Sequence, residues 1–206
     1  MPGTKAPEAE RREQILTAAY AAAAEHGLER LTIRQVATAA GLSSGSVLFH
    51  YETRVELIIA LLEWLLETSA VLALPDSIAG MSPVEALAAA VRHEIRRFSD
   101  DPARIRLLFE YWIVGIRRAE VHARMRRDLH RYRDAFVPLA AAVIAADPVT
   151  FSEVSPQGLA TVVVSFIKGC GIQTMIDLDH TDSHELRDTA NHLLSELIRK
   201  SARAGS

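Results

Sequence analysis

The stretch TIRQVATAAGLSSGSVLFHYE, residues 32–52, limits what this chain can fold into more than any other. Thr32 is placed to cap a short helix with Val36, Ala37 and Ala40 on its buried face, and Gly41 ends that helix. Ser43 caps a second, shorter helix covering Ser44 to His50. Ala37 is small where the two helices cross, Gly41 supplies the turn, Leu42 plugs the core beneath it, and Val47 anchors the second helix. This is the pattern of a helix-turn-helix.

The second helix opens on Ser44, Gly45 and Ser46, poor helix formers that a purely structural element would avoid. Small side chains at the leading end allow close approach to the DNA major groove, with the free amides of the first turn facing phosphate or base edges. The low propensity is tolerable if Val47 and Leu48 are buried. Farther along, Phe49 is placed against a thymine methyl or a sugar and His50 against a phosphate, with Arg34 and Arg54 flanking the same face. Taken alone, exposed serines on a short helix equally mark an ordinary solvent-facing element.

Charge is sorted along the chain. Residues 1–54 carry six bases and six acids, residues 55–91 five acids and no base, residues 92–133 twelve arginines against six acids, and residues 134–206 five bases against nine acids. With a net charge of −3, the molecule lacks the basic excess of a nonspecific polyanion binder, so a DNA surface has to be local. Lys5, Arg11 and Arg12 at the start of the first helix are further candidates for phosphate or the minor groove. Cys170 is the single cysteine, which excludes an intrachain disulfide and a thiolate metal cluster. The N-terminal stretch lacks the apolar core of a signal peptide and no run reads as a membrane span, so the expectation is a cytoplasmic protein without membrane partners.

Almost every periodic segment reads as helix, which predicts an all-α chain of about nine helices. The first spans Glu8 to His26, and Thr53 caps a fourth with an apolar stripe through Leu57, Leu61, Trp64, Leu65 and Leu72. Ser82 starts a helix through Phe98, Pro102 opens one ending near Arg117, and Glu120 to Ala146 forms another interrupted at Pro138. Residues 147–156 read as a loop. The run containing Leu159, Val162, Val163, Phe166 and Ile167 reads as an apolar helix, although VVVSF fits a strand as well. A last helix carries Leu186, Leu193, Leu194, Leu197 and Ile198.

Residues 15–57, ILTAAYAAAAEHGLERLTIRQVATAAGLSSGSVLFHYETRVEL, resemble the N-terminal DNA-binding domain of the TetR family of bacterial transcriptional regulators. The likeness lies in the spacing of IL, AA and G in the first helix, LTIRQVA opening the second, the GLS turn, and a short third helix ending in an aromatic before a basic residue and Glu-Leu. It implies DNA contacts by Thr32, Arg34, Ser43, Ser44, Gly45, Ser46, Phe49, His50 and Arg54, with Arg54 in place of a lysine that usually meets phosphate. Two positions depart from the pattern. Ala22 and Ala23 stand where Leu-Phe is typical, and Leu48 replaces a tyrosine whose hydroxyl meets a phosphate. Leu48 is expected to fill the volume left by Ala23.

A domain boundary is expected after residue 53, with DNA binding on residues 1–53 and ligand binding and dimerisation on residues 54–206. A single short helix reads few bases, so a homodimer on a palindromic double-stranded operator follows. The last two helices are the candidate joint, with Val163, Phe166, Ile167, Leu193, Leu197 and Ile198 at its core. The middle segment, LLFEYWIVGIRRAEVHARMRRDLHRYRDAF, weakly resembles the betaine and choline regulator subgroup. That resemblance implies an effector cavity, for which Trp64, His93, Phe98, Phe109, Tyr111, Trp112, Phe166, Cys170 and Gln173 are candidates; read from the residues alone, the aromatics line a pocket or fill a core. Glu94, Glu110 and Arg117 are possible polar fixtures.

No cofactor and no metal is expected. His180 and His184 with Asp177, Asp179 and Asp182 read as an acidic loop, the chain has no HExxH, and Gly41, Ser43 and Gly45, though they fit GxSxG spacing, lack the surrounding sheet of a serine hydrolase elbow. The function expected is therefore a ligand-released repressor and not an enzyme. The alternatives are a helical interaction protein that reads no DNA, or an activator of the same family.

Overall fold

A computed structural model of the chain describes residues 7–68, 78, 80–176 and three further helical residues, 185, 189 and 192. Eight helices are defined among them: α1 (Glu8–His26), α2 (Ile33–Ala40), α3 (Ser44–His50), α4 (Arg54–Glu67), α5 (Pro83–Asp100), α6 (Pro102–Arg117), α7 (Ala119–Ala146) and α8 (Pro156–Ile176). Of the expected ninth helix only residues 185, 189 and 192 are described; its Leu186, Leu193, Leu194, Leu197 and Ile198 fall outside the described residues, as do Lys5, Leu72, His180 and His184. The chain divides into two compact units, Met1–Ser69 with Ala103–Arg126, and Ala70–Pro102 with Arg127–Ser206.

In the first unit α1 packs on α2 and α4, and α2 packs on α3. The inward side of α1 is made of small residues, Ala18, Ala19, Ala22 and Ala23, flanked by Ile15 and Leu16, so neighbouring helices approach closely. Leu31, Val36, Val47, Leu57, Leu61, Leu65 and Leu107 are fully buried around them. Gly41 adopts a left-handed conformation at φ 66°, which lets its amide close on the last carbonyls of α2. Gln14 Nε2 donates to the Ala40 carbonyl at 2.8 Å and satisfies another of those orphaned acceptors.

The remaining helices of this unit are tied in by polar contacts. Tyr111 on α6 is fully buried and donates its hydroxyl to the Ile58 carbonyl of α4 at 2.7 Å. Glu110 accepts from the Leu28 amide at 2.7 Å, and the Arg124 guanidinium meets Glu63 at 2.5 Å.

In the second unit α5 packs on α8. A capping box between Ser82 and Glu85 starts α5, whose Leu87, Ala90, Val91, Ile95 and Phe98 are buried. Contrary to the expected interruption, α7 continues through Pro138. The amide that proline lacks would have met the Asp134 carbonyl, and both residues lie on an exposed face, where the loss is least costly.

The VVVSF run is helical, inside a 21-residue α8. Thr161, Ser165 and Thr174 each return a hydroxyl hydrogen bond to the carbonyl four residues earlier, so their polar groups are satisfied within the helix. By length and composition α8 is apolar enough to cross a membrane, yet its Ala160, Val163, Val164, Ile167 and Cys170 are buried in the unit's core. Its other side leaves Val162, Phe166 and Ile176 exposed.

Candidate nucleic-acid interface and helical body

The short helix α3 is held by its two ends and one anchor. Ser43 Oγ accepts the Ser46 amide at 3.1 Å, a side-chain cap at the leading end, and Val47 is fully buried. At the trailing end Arg12 reaches the His50 carbonyl at 3.4 Å while its guanidinium lies 4.7 Å from the Tyr51 ring centroid. Arg12 therefore buttresses α3 from behind, a role that its position near the N-terminus does not reveal.

With the inner side fixed, the outer side shows Ser44, Gly45 and Phe49 exposed, Phe49 to 82%, with Ser46 and His50 half-buried. Phe49 and His50 meet edge to face at 5.2 Å. A Cβ added at Gly45 would find nothing nearer than Ser43 Oγ, at 3.8 Å, which is ordinary contact. Packing within the protein does not require glycine there.

Leu48 does not fill space beside Ala23: it is 42% exposed, while Ala23 is fully buried among its own neighbours. The alanine side of α1 is closed by close packing instead, and Leu48 lies on the outward side of α3. Arg34 is exposed on α2. Thr32 is committed to a capping box, its oxygen accepting the Gln35 amide at 3.2 Å and its own amide donating to Gln35 Oε1 at 2.8 Å.

Arg54 is placed differently from the other candidates. Its Nε donates to the Leu31 carbonyl at 2.5 Å, and one terminal nitrogen donates to the carbonyls of Leu28 at 2.7 Å and Glu29 at 2.8 Å. One guanidinium thus clasps the whole turn between α1 and α2 to the start of α4. A planar fork of donors does this where a lysine ammonium would not.

The candidate effector residues are distributed over both units. Trp64, Phe109, Tyr111 and Trp112 belong to the first, where Trp64 donates to the Glu13 carboxylate at 2.9 Å and Tyr111 is core. His93, Phe98, Phe166, Cys170 and Gln173 belong to the second. There Phe98 and Cys170 are buried, His93 is half-buried, and Phe166 and Gln173 are exposed. Val163 and Ile167, expected at a dimer joint, face inward on α8, and Phe166 faces out.

The second unit also holds a buried polar cluster. Glu94, 4% exposed, accepts the Tyr132 hydroxyl at 2.7 Å and pairs with Arg97 at 3.1 Å. Lys168 places its ammonium 4.7 Å from the Tyr132 ring centroid, and Phe136 meets the same ring edge-on at 5.5 Å. Burial pushes the Tyr132 hydroxyl well above its ordinary pKa, assisted by the Glu94 charge, and burial lowers that of Lys168 against the pull of Asp128 and Glu94. Sequence spacing offered Glu94 as an isolated acid; that Tyr132 and Lys168 converge on it from α7 and α8 depends on how the helices cross.

A capped, small-residue helix presented outward by a three-helix head is the arrangement of a helix-turn-helix regulator. Residues 15–61 match the model of bacterial regulatory proteins of the tetR family, and residues 83–199, more than half the chain, match that of the BetI-type transcriptional repressor C-terminal domain. The chain belongs to the TetR family of ligand-responsive, DNA-binding bacterial regulators, and so stands with regulatory proteins and not with enzymes. No curated protein matches it.

Solved structures share the fold at low identity. A Saccharomonospora viridis putative transcriptional regulator in complex with choline aligns at 16% identity and TM-score 0.75, covering 91% of this chain and 97% of that one. A TetR transcription regulator from Haloarcula marismortui aligns at 23% identity and TM-score 0.73, covering 91% and 98%. A Rhodococcus transcriptional regulator aligns at 20% identity and TM-score 0.72, covering 92% and 96%.

Proposed function

We propose that the protein is a transcriptional repressor that binds a palindromic operator as a homodimer and is released by a small, mainly apolar effector held in its helical body. DNA contacts fall to residues 1–53, and effector and dimer contacts to residues 54–206. The observation that carries the DNA assignment is Gly45. A glycine that its own surroundings do not require, between two serines on the exposed leading end of α3, suits close approach by something outside the protein.

Seven residues of helix read too few bases to select one genomic site, so two copies are needed, spaced about one DNA turn, roughly 34 Å, apart. The exposed Val162, Phe166 and Ile176 of α8 supply an apolar face for the second copy. Repression is supported by the C-terminal family model, whose description is that of a repressor. Choline is printed for the Saccharomonospora relative alone, and at 16% identity it is not carried over to this chain.

The effector acts by changing how far apart the two reading helices stand. Because binding energies are coupled both ways, operator DNA must weaken effector binding by the same factor that effector weakens operator binding. Selection of bound fragments from genomic DNA tests the reading. The expected result is retention of a few palindromic fragments at low salt, lost in Arg34→Ala, Ser46→Ala and His50→Ala variants that remain dimeric. Retention of no fragment would instead favour a helical interaction protein, and retention unchanged in all three variants would remove α2 and α3 as the DNA contact.

A further inference from the structure

We propose that the first unit contains a separate binding site for an amphipathic anion, a carboxylate on an aliphatic or aromatic body, in the groove between the α1–α2 turn, α4 and the corner where α6 meets α7. The groove has a volume of about 800 Å3, within the range that holds a small organic molecule. Val55, Ile58, Ile59, Val114 and Val121 provide its apolar lining, with Ile58 and Val121 at its buried end. This site lies on elements other than α5 and α8 and does not depend on the effector reading above.

Charge selects the occupant. Arg117 and Arg118, adjacent residues at the end of α6, line the groove, are exposed, and have no side-chain partner among the described residues. Arg54 adds a third guanidinium, although its donors are largely engaged with backbone carbonyls. Against these three the lining sets a single acid, the exposed Glu29. Two unengaged planar forks beside an apolar wall match a carboxylate head and a hydrocarbon body together.

The corner itself is built closely enough to hold the pair in place. Only Arg118 separates α6 from α7, with its amide on the Val114 carbonyl at 3.0 Å and its carbonyl accepting the His122 amide at 2.9 Å. A Cβ at the buried Gly115 would meet the His122 backbone at 3.6 Å, so the two helices already touch there. An occupant would therefore bear on the α1–α2 turn and on α4 at once.

Titration of the full-length protein, labelled with 13C at isoleucine methyls, with sodium decanoate tests the site. Saturable shifts are expected at Ile58 and Ile59, with affinity at least about tenfold weaker in the Arg117→Gln/Arg118→Gln double variant, since each lost charged contact is worth about a factor of ten. Decan-1-ol should bind more weakly than decanoate and equally to the two proteins. Both substitutions are at exposed positions, and an unchanged methyl spectrum before titration verifies the fold. No shift at Ile58 and Ile59, equal decanoate affinity in the double variant, or shifts confined to Ile95 and Ile167 of the second unit would overturn the proposal.

Discussion

Gly45 sets stability against function within one residue. Nothing closer than 3.8 Å opposes a methyl group there, and glycine in a helix costs roughly 0.5–1 kcal/mol relative to alanine. Gly45→Ala is therefore expected to raise the unfolding free energy by at most about that amount while weakening operator retention, because the added methyl stands between the α3 backbone and the groove floor. Parallel chemical unfolding and fragment-retention measurements check the pair of effects. A variant that is more stable and still binds DNA equally well would remove the main support for α3 as the reading element. Arg12 makes the complementary case: its guanidinium over Tyr51 holds α3 from the protein side, so its loss should reach DNA affinity through positioning.

Among the elements, the join between α3 and α4 depends on Arg54. Replacing it with lysine keeps the charge and loses most of a three-carbonyl clasp. Arg54→Lys is expected to destabilise the protein by about 1.5–3 kcal/mol, the scale of one charge-assisted hydrogen bond, measurable by urea unfolding.

The helices themselves were legible because their stops are local chemistry. Thr32, Ser43, Thr53 and Ser82 each cap the helix predicted for them, and Gly41 closes α2 in the left-handed region. What sequence could not show is where long side chains go after the helices pack. Arg54 reads as a phosphate contact by position and turns inward to carbonyls; Leu48 reads as core and faces out at 42% exposure. Pro138 reads as a break, yet a proline on an exposed face costs α7 too little to end it. Trp64 and Tyr111 share an aromatic character with Phe98 and Phe166, but periodicity carries no information on which compact unit an aromatic joins.

For the whole molecule, the titration of buried hydroxyls fixes the alkaline limit. Burial raises Tyr111 and Tyr132 well above their ordinary value of 10.0, with Glu110 and Glu94 adding to the respective shifts. A group whose pKa is raised on folding binds its proton more tightly in the folded state, so this stabilisation is complete below the unfolded value near 10 and declines as pH rises through the folded values. Lys168, lowered by burial, works in the opposite direction, its contribution growing as pH rises from its folded value toward its ordinary 10.5, mostly below the range in which the two tyrosines lose theirs. Unfolding midpoints should fall as pH rises above about 10, and Tyr132→Phe should flatten that fall. An unchanged slope in the variant would show that Tyr132 does not govern it.

The tie between Arg54 and the turn ahead of α2 also matters for anyone building chimeras. A cut after residue 53 would strip the head of the guanidinium that fastens it and leave the carbonyls of Leu28, Glu29 and Leu31 without that partner. A graft that takes α4 through Glu67 carries its own fastening, so the transplantable reading module is longer than the part that would touch DNA.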